Sequence, residues 1–378
     1  MTKNIKPRIY FENLDGLRFL CFLSVFFYHS FHTINPLILQ NPIYNFIKKN
    51  LFGNGNLGVN FFFVLSGFLI TYLLIEEKRQ NIQINIKNFW IRRMLRIWPL
   101  FYFSVFFGFV IFPAIKHFFN QVSSETADPF FYIFFINNFD FIKKGLPDSS
   151  ILGVLWSVAI EEQFYLIWPI IVYIFPLKKL WIPLVIIIIL NVIFRAKFDD
   201  YLAHEYHTLS CIGDMIIGAL GAWFIYISTN FKKTIENLPK GLIGVLYAIF
   251  FIIFFFREEV FYVNHGVRIF ERLIIAIVIL LIILEQTYSK QSFYKMSEFI
   301  IISKLGSITY GLYCLHFIGI LITITLTEKF GLNTSLWQVI ILETSLSLAV
   351  TIIISKLSYN YFEMPFLRFK NKFAFFTK

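Results

Sequence analysis

Ten apolar runs, each close to the length a helix needs to cross a bilayer, follow one another along this 378-residue chain. A crossing takes about 20 predominantly apolar residues. The runs lie near residues 14–34, 57–75, 97–115, 154–176, 181–195, 212–228, 240–256, 270–287, 306–327 and 336–357. The expected fold is an all-α polytopic membrane protein of about ten transmembrane helices. Composition excludes the soluble alternative: 57% of residues are apolar and 20% aromatic, and only 15% are charged, whereas soluble domains carry about 25% charged residues. The 50 phenylalanines suit lipid-facing and helix-packing surfaces.

A shorter run, Pro129 to Ile142, is too short to cross and is expected to lie against the bundle as a re-entrant or interfacial helix. With ten crossings and the amino terminus inside, cytoplasmic segments hold twice as many lysines and arginines as external ones, the bias that the positive-inside rule describes. Both termini are therefore expected in the cytoplasm. The net charge of +11 belongs to those cytoplasmic loops and gives no reason to invoke nucleic acid. The first span follows Lys3, Lys6 and Arg8 with no small-residue cleavage site after it, so it reads as a retained anchor. No long hydrophilic segment occurs, and residues 1–378 are expected to form a single integral-membrane domain without an appended soluble one. Cys21, Cys211 and Cys314 match no metal or disulfide spacing and read as reduced packing residues.

Charged side chains inside the spans carry the chemistry, because each is costly in a bilayer unless it meets a partner or a polar interior. Asp15 and Arg18 open the first span at a spacing that lets them pair. His29 stands eleven residues after Arg18, roughly 16 Å further along nearly the same helix face. A cation at one end and an imidazole towards the other suit a substrate threaded along the helix; a buried ion pair and a space-filling histidine are the structural alternative. Arg92, Arg93 and Arg96 stand where the third span enters. They are either an ordinary positive-inside anchor or a pair of guanidinium forks on one face matched to phosphate.

Glu161 and Glu162 sit well inside the fourth span, where Ser157, Glu161, Tyr165 and Trp168 follow helical spacing and form a polar stripe. Glu161 is thus the carboxylate expected to face the interior; bracing of the short segment is the alternative. In Gly58–Phe68 of the second span, Ser66 and Gly67 are expected to serve close helix packing. His316, in Gly311-Leu312-Tyr313-Cys314-Leu315-His316, is a further intramembrane titratable group.

Taken in order, these elements resemble the membrane-bound acyltransferase family 3, bacterial enzymes that O-acylate cell-surface glycans and related acceptors. The resemblance runs from Leu14-Asp15-Gly16-Leu17-Arg18 and the spacing to His29, through Phe62–Phe68, Arg92-Arg93-x-x-Arg96 and Trp156-Ser157. It continues with Glu161-Glu162-Gln163-Phe164-Tyr165 and Tyr310–Tyr313 with His316, and closes on Phe362-Glu363-Met364-Pro365-Phe366. It implies an enzyme of the bacterial cytoplasmic membrane with acyl-CoA, usually acetyl-CoA, as donor and a glycan hydroxyl as acceptor. It also implies that His29 is the essential histidine and that Arg18, Arg93 and Arg96 engage the nucleotide phosphates or pantetheine arm, with Arg92 beside them. Two departures stand out. Many members carry a carboxylate where Asn60 stands, and many carry an appended periplasmic hydrolase-like domain.

Acyl transfer from a thioester needs a base for the acceptor hydroxyl, and an imidazole with an unperturbed pKa of about 6.5 can serve at neutral pH. General-base attack and a transient acyl-histidine both require only one histidine. Glu161 or Glu162 would orient the imidazole or the acceptor. No metal-ligand cluster, phosphate-binding glycine loop or Ser-His-Asp arrangement offers a competing mechanism, and no metal is expected. The rival class is a proton-coupled transporter or flippase of a polysaccharide precursor, which also uses intramembrane Asp, Glu, Arg and His. An inverted repeat would favour it, and none is evident.

Overall fold

Each expected span coincides with a long helix of the computed structural model, which describes residues 9–373 and 375. Lys3, Lys6 and Arg8 lie outside the described residues. In chain order the long helices are α1 (Glu12–Ser30), α2 (Leu57–Asn81), α3 (Ile86–Phe118), α4 (Ser150–Ile174), α5 (Leu177–Lys197), α6 (Tyr201–Ile227), α7 (Lys240–Phe261), α8 (His265–Tyr288), α9 (Thr309–Lys329) and α10 (Gln338–Phe373). Eight of these are long and apolar enough to cross a membrane. The other two, α1 and α8, are interrupted by charge: Glu12, Asp15 and Arg18 in the first, Arg268, Glu271, Arg272 and Glu285 in the second. The described residues hold no strand.

Among the differences from the sequence reading, three bear on the site. Helix α3 begins at Ile86, capped by Asn85, whose side chain accepts from the Asn88 amide at 2.9 Å. Arg92, Arg93 and Arg96 therefore lie on the helix rather than ahead of it; their charge had hidden its first turns. Helix α10 continues past 357 through a π-helical turn, Ser358–Glu363, which buries Glu363 of the closing Phe362–Phe366 element while Phe362 and Phe366 stay exposed. The segment Pro129–Ile142 is two short helices, Pro129–Ile133 and Asn137–Lys144, instead of one. Phe135 adopts a positive φ of 55° at the break, a conformation that ends a helix. The Gln163 amide of α4 holds the elbow, donating to Phe135 O at 2.8 Å and to Asn138 Oδ1 at 2.9 Å.

Burial orders the bundle. The apolar stretch of α2 is 72% buried and that of α7 only 17%, so α2 is central and α7 presents Leu242, Val245, Ile249 and Ile252 outward. Helices α2 and α6 cross closely: a Cβ on Gly67 would collide with the Met215 backbone, and one on Gly218 with the Val64 backbone. Small residues allow such close approach of backbones. Cys21, Cys211 and Cys314 are buried free thiols, as expected of packing residues.

Candidate active site

A cavity of about 550 Å³ opens at the end of the bundle where α1 and α3 begin and α10 ends. Its lining includes the basic side chains Arg18, Arg92, Arg93, Arg96, Arg368 and Lys370 and the acidic Asp15, Glu77, Glu161 and Glu363. Positive charge is thus in excess. Arg18 and Asp15 form the ion pair expected from their spacing, and Tyr10 donates to the same carboxylate at 2.8 Å.

The three arginines of α3 have separate environments. Arg92 is engaged by the Phe373 carbonyl at 2.8 Å and by Glu77 at 3.5 Å. Arg93 lies between aromatic faces, 5.5 Å from the Phe89 ring and 5.6 Å from that of Tyr165, and its buried Nε has no hydrogen-bond partner among the described residues. Arg96 lines the cavity beside it. Both side chains are half-buried, and a cation taken out of water without a counter-charge is costly, so the pair has the chemistry to receive an anion.

The polar stripe of α4 meets the cavity through Ser157, Glu161 and Tyr165. Trp168 departs from it: its ring is buried and its Nε1 donates to Thr71 at 2.8 Å. Glu161 accepts from Ser66 at 2.7 Å, and Tyr165 donates to Ser66 at 3.0 Å. Ser66 is therefore a cavity hydrogen-bonding residue rather than only the packing residue expected of it. Glu162 turns away towards α3, accepts from Trp98 Nε1 at 2.8 Å and does not line the cavity.

His29 and His316 also stand outside that lining. They meet each other: His29 Nδ1 lies 3.1 Å from His316 Nε2, and His316 Nδ1 lies 2.7 Å from the Tyr313 carbonyl oxygen. Phe317 packs on both imidazoles, with ring centroids 4.8 and 4.5 Å away. Tyr313 lines the large cavity, while Phe317 and His32 line a second cavity of about 190 Å³ with Phe107, Phe112 and Ser149. The histidine pair thus stands between residues of two cavities.

Some residues at or near the site are named in the sequence only within a motif or stripe, and others not at all. Tyr313 shares a 2.7 Å hydrogen bond with Ser157, and Tyr310 donates to Ile97 O at 2.8 Å. A second group is a buried ionic network. Asp214 pairs with Arg272 at 2.6 Å, Glu205 with Arg257 at 2.8 Å, and Glu271 with Arg257 at 2.6 Å and Arg195 at 3.2 Å. Asn60 donates to Asp214 at 3.0 Å, so its amide serves where a carboxylate would face another carboxylate. Charges inside apolar runs were the available signal for this network.

The chain matches the family described as acyltransferase domain over residues 11–356. It is 30% identical to the peptidoglycan O-acetyltransferase OatA of Listeria monocytogenes, over 95% of this chain and 56% of that protein. It is 28% identical to the putative peptidoglycan O-acetyltransferase YrhL of Bacillus subtilis, over 94% of this chain and 55% of that protein. Putative O-acetyltransferases of Staphylococcus aureus are 26% identical over 97% of this chain and 58% of theirs. The chain therefore spans little more than half the length of these relatives. No solved structure matches it significantly.

Proposed function

Because the chain belongs to the acyltransferase-domain family, we propose that it is a membrane O-acetyltransferase. In this reading it moves an acetyl group from cytoplasmic acetyl-CoA to a hydroxyl of a cell-surface or lipid-linked glycan. The names of the relatives favour a peptidoglycan acceptor. All ten long helices cross the bacterial cytoplasmic membrane, and both termini face the cytoplasm, as the bias of basic residues supports. The cavity then opens to the cytoplasm.

The observation that carries the reading is the pair Arg93 and Arg96 in that cavity, Arg93 between aromatic rings with an Nε that has no hydrogen-bond partner among the described residues and Arg96 lining the cavity beside it. Their forks fit the phosphates of a nucleotide donor, and Arg18 lies on the path from them along α1 towards His29. The acetyl-bearing arm would extend past Phe62 and Tyr313, which line the cavity, to the histidine pair. There His29 acts as base for the acceptor hydroxyl or as transient acyl carrier.

The test is incubation of the purified protein in nanodiscs with labelled acetyl-CoA, with and without soluble glycan acceptors. Thioester cleavage or transfer is expected from the wild type and is expected to be lost in His29→Ala at normal abundance. A wild type that leaves the thioester untouched would return the chain to the transporter reading. Turnover retained by His29→Ala would remove His29 from the mechanism.

A further inference from the structure

The two imidazoles and one peptide carbonyl form a chain in which each proton can be assigned. A carbonyl oxygen only accepts, so its 2.7 Å contact with His316 Nδ1 puts a proton on that nitrogen. His316 is fully buried, among the rings of Phe22 and Phe317, and no carboxylate among the described residues is bonded to it. Burial of an unpaired charge is costly, so the ring is held neutral and its Nε2 is an acceptor. The 3.1 Å contact from His29 Nδ1 to that Nε2 then requires the proton on His29 Nδ1. This leaves the lone pair on His29 Nε2, to which nothing among the described residues hydrogen-bonds.

We propose that His316 is a positioning residue that fixes the tautomer and ring direction of His29, so that Nε2 is its reacting atom. The proposal rests on the reading of His29 as the histidine that acts in acyl transfer. In the general-base form, the acceptor O–H bond breaks as its proton passes to His29 Nε2, and the oxygen bonds to the thioester carbonyl carbon. The C–S bond then breaks, and the departing thiolate takes the proton from Nε2. While His29 is an imidazolium, its Nδ1–H remains donated to His316 Nε2, and charge is spread towards the Tyr313 carbonyl. A neutral histidine backed by a carbonyl here does the orienting that a carboxylate does in a Ser-His-Asp triad.

The test compares His316→Ala and His316→Gln with wild type in nanodiscs, reading kcat, the KM for acetyl-CoA and the nitrogen-15 signals of labelled imidazoles. The glutamine carbonyl can accept from His29 Nδ1 where Nε2 of His316 did; alanine offers nothing. His316→Ala is expected to lower kcat about 100-fold with KM within about twofold, while His316→Gln returns kcat to within about tenfold of wild type. The His29 signal, identified by its loss in His29→Gln, is expected to report Nδ1–H in wild type and His316→Gln and a tautomer mixture in His316→Ala.

Wild-type kcat in His316→Ala, or a proton on His29 Nε2 in the wild type, would overturn the proposal. So would a His316→Gln variant as slow as His316→Ala with the His29 tautomer intact, since His316 would then act by taking a proton itself. If the wild type is inert towards acetyl-CoA while the tautomer still responds to His316→Ala, the donor reading fails and the assignment of the pair stands.

Discussion

Ser66 on α2 donates its hydroxyl proton to Glu161 on α4 across 2.7 Å. The contact joins two sequence elements 95 residues apart and turns one of two adjacent carboxylates into the cavity. Tyr165, one helical turn beyond Glu161, donates to the same serine oxygen at 3.0 Å. The order Tyr165, Ser66, Glu161 gives every hydroxyl one role as donor, and Ser66 also one as acceptor. A carboxylate held this way is oriented before any substrate enters, as electrostatic preorganisation requires.

Ser66→Ala removes the central hydroxyl and almost no volume. Packing alone predicts no effect. We expect normal abundance and a fall of about fivefold in kcat/KM, the equivalent of one net hydrogen bond of about 1 kcal/mol. Steady-state kinetics beside an abundance measurement decide the matter: unchanged kcat/KM would return Ser66 to a packing role.

Arg93→Lys and Arg96→Lys keep positive charge and so keep topology, but lose the bidentate fork. Each is expected to raise the KM for acetyl-CoA by about tenfold, equivalent to about 1.4 kcal/mol, with kcat changed less. Arg92→Lys is the internal contrast, because Arg92 is already bound to Glu77 and the Phe373 carbonyl. Its replacement should lower thermal stability more than donor affinity. Equal KM effects at all three positions would reject the division of labour.

The all-helical character, the places of the long helices and most of the polar stripe are legible in the sequence, and the reasons are local. A run of apolar residues declares its own length, and Ser157, Glu161 and Tyr165 share a face by spacing alone. What escapes is whatever depends on tertiary pairing. The start of α3 is masked by the three arginines that a cavity compensates, and the break at Phe135 depends on Gln163 from another helix. His29 and His316 are 287 residues apart, so neither can be assigned a partner from its own neighbourhood. Glu363 enters the cavity only because α10 runs past a π-helical turn.

The network around Arg272 makes a stability prediction. Arg272→Met leaves Asp214 buried with Asn60 as its main remaining polar contact, and breaking one side of a buried pair costs about 3–5 kcal/mol. A marked fall in melting temperature and abundance is expected. Adding Asp214→Leu to Arg272→Met removes the stranded charge and should recover a large part of the loss. A double variant less stable than Arg272→Met alone would mean that Asp214 has another stabilising partner.

The direction of the reaction can be read by labelling. Cys21, Cys211 and Cys314 are buried and are replaced first, after which single cysteines are introduced along α1 and at position 32. Arg18 lines the large cavity, whereas His32 lines the second one, and the rise from residue 18 to residue 29 is roughly 16 Å. A cysteine at position 18 is expected to react with a membrane-impermeant thiol reagent applied from the cytoplasm and to be protected by acetyl-CoA. Cysteines at 29 and 32 are expected to react only from outside. In that arrangement the anionic end of the donor stays in the cytoplasm, its thioester reaches the histidine pair, and the acceptor approaches from the far side without the donor crossing. Cytoplasmic reactivity at 29 and 32, with none from outside, would instead require acylation on the inner face followed by export of the product.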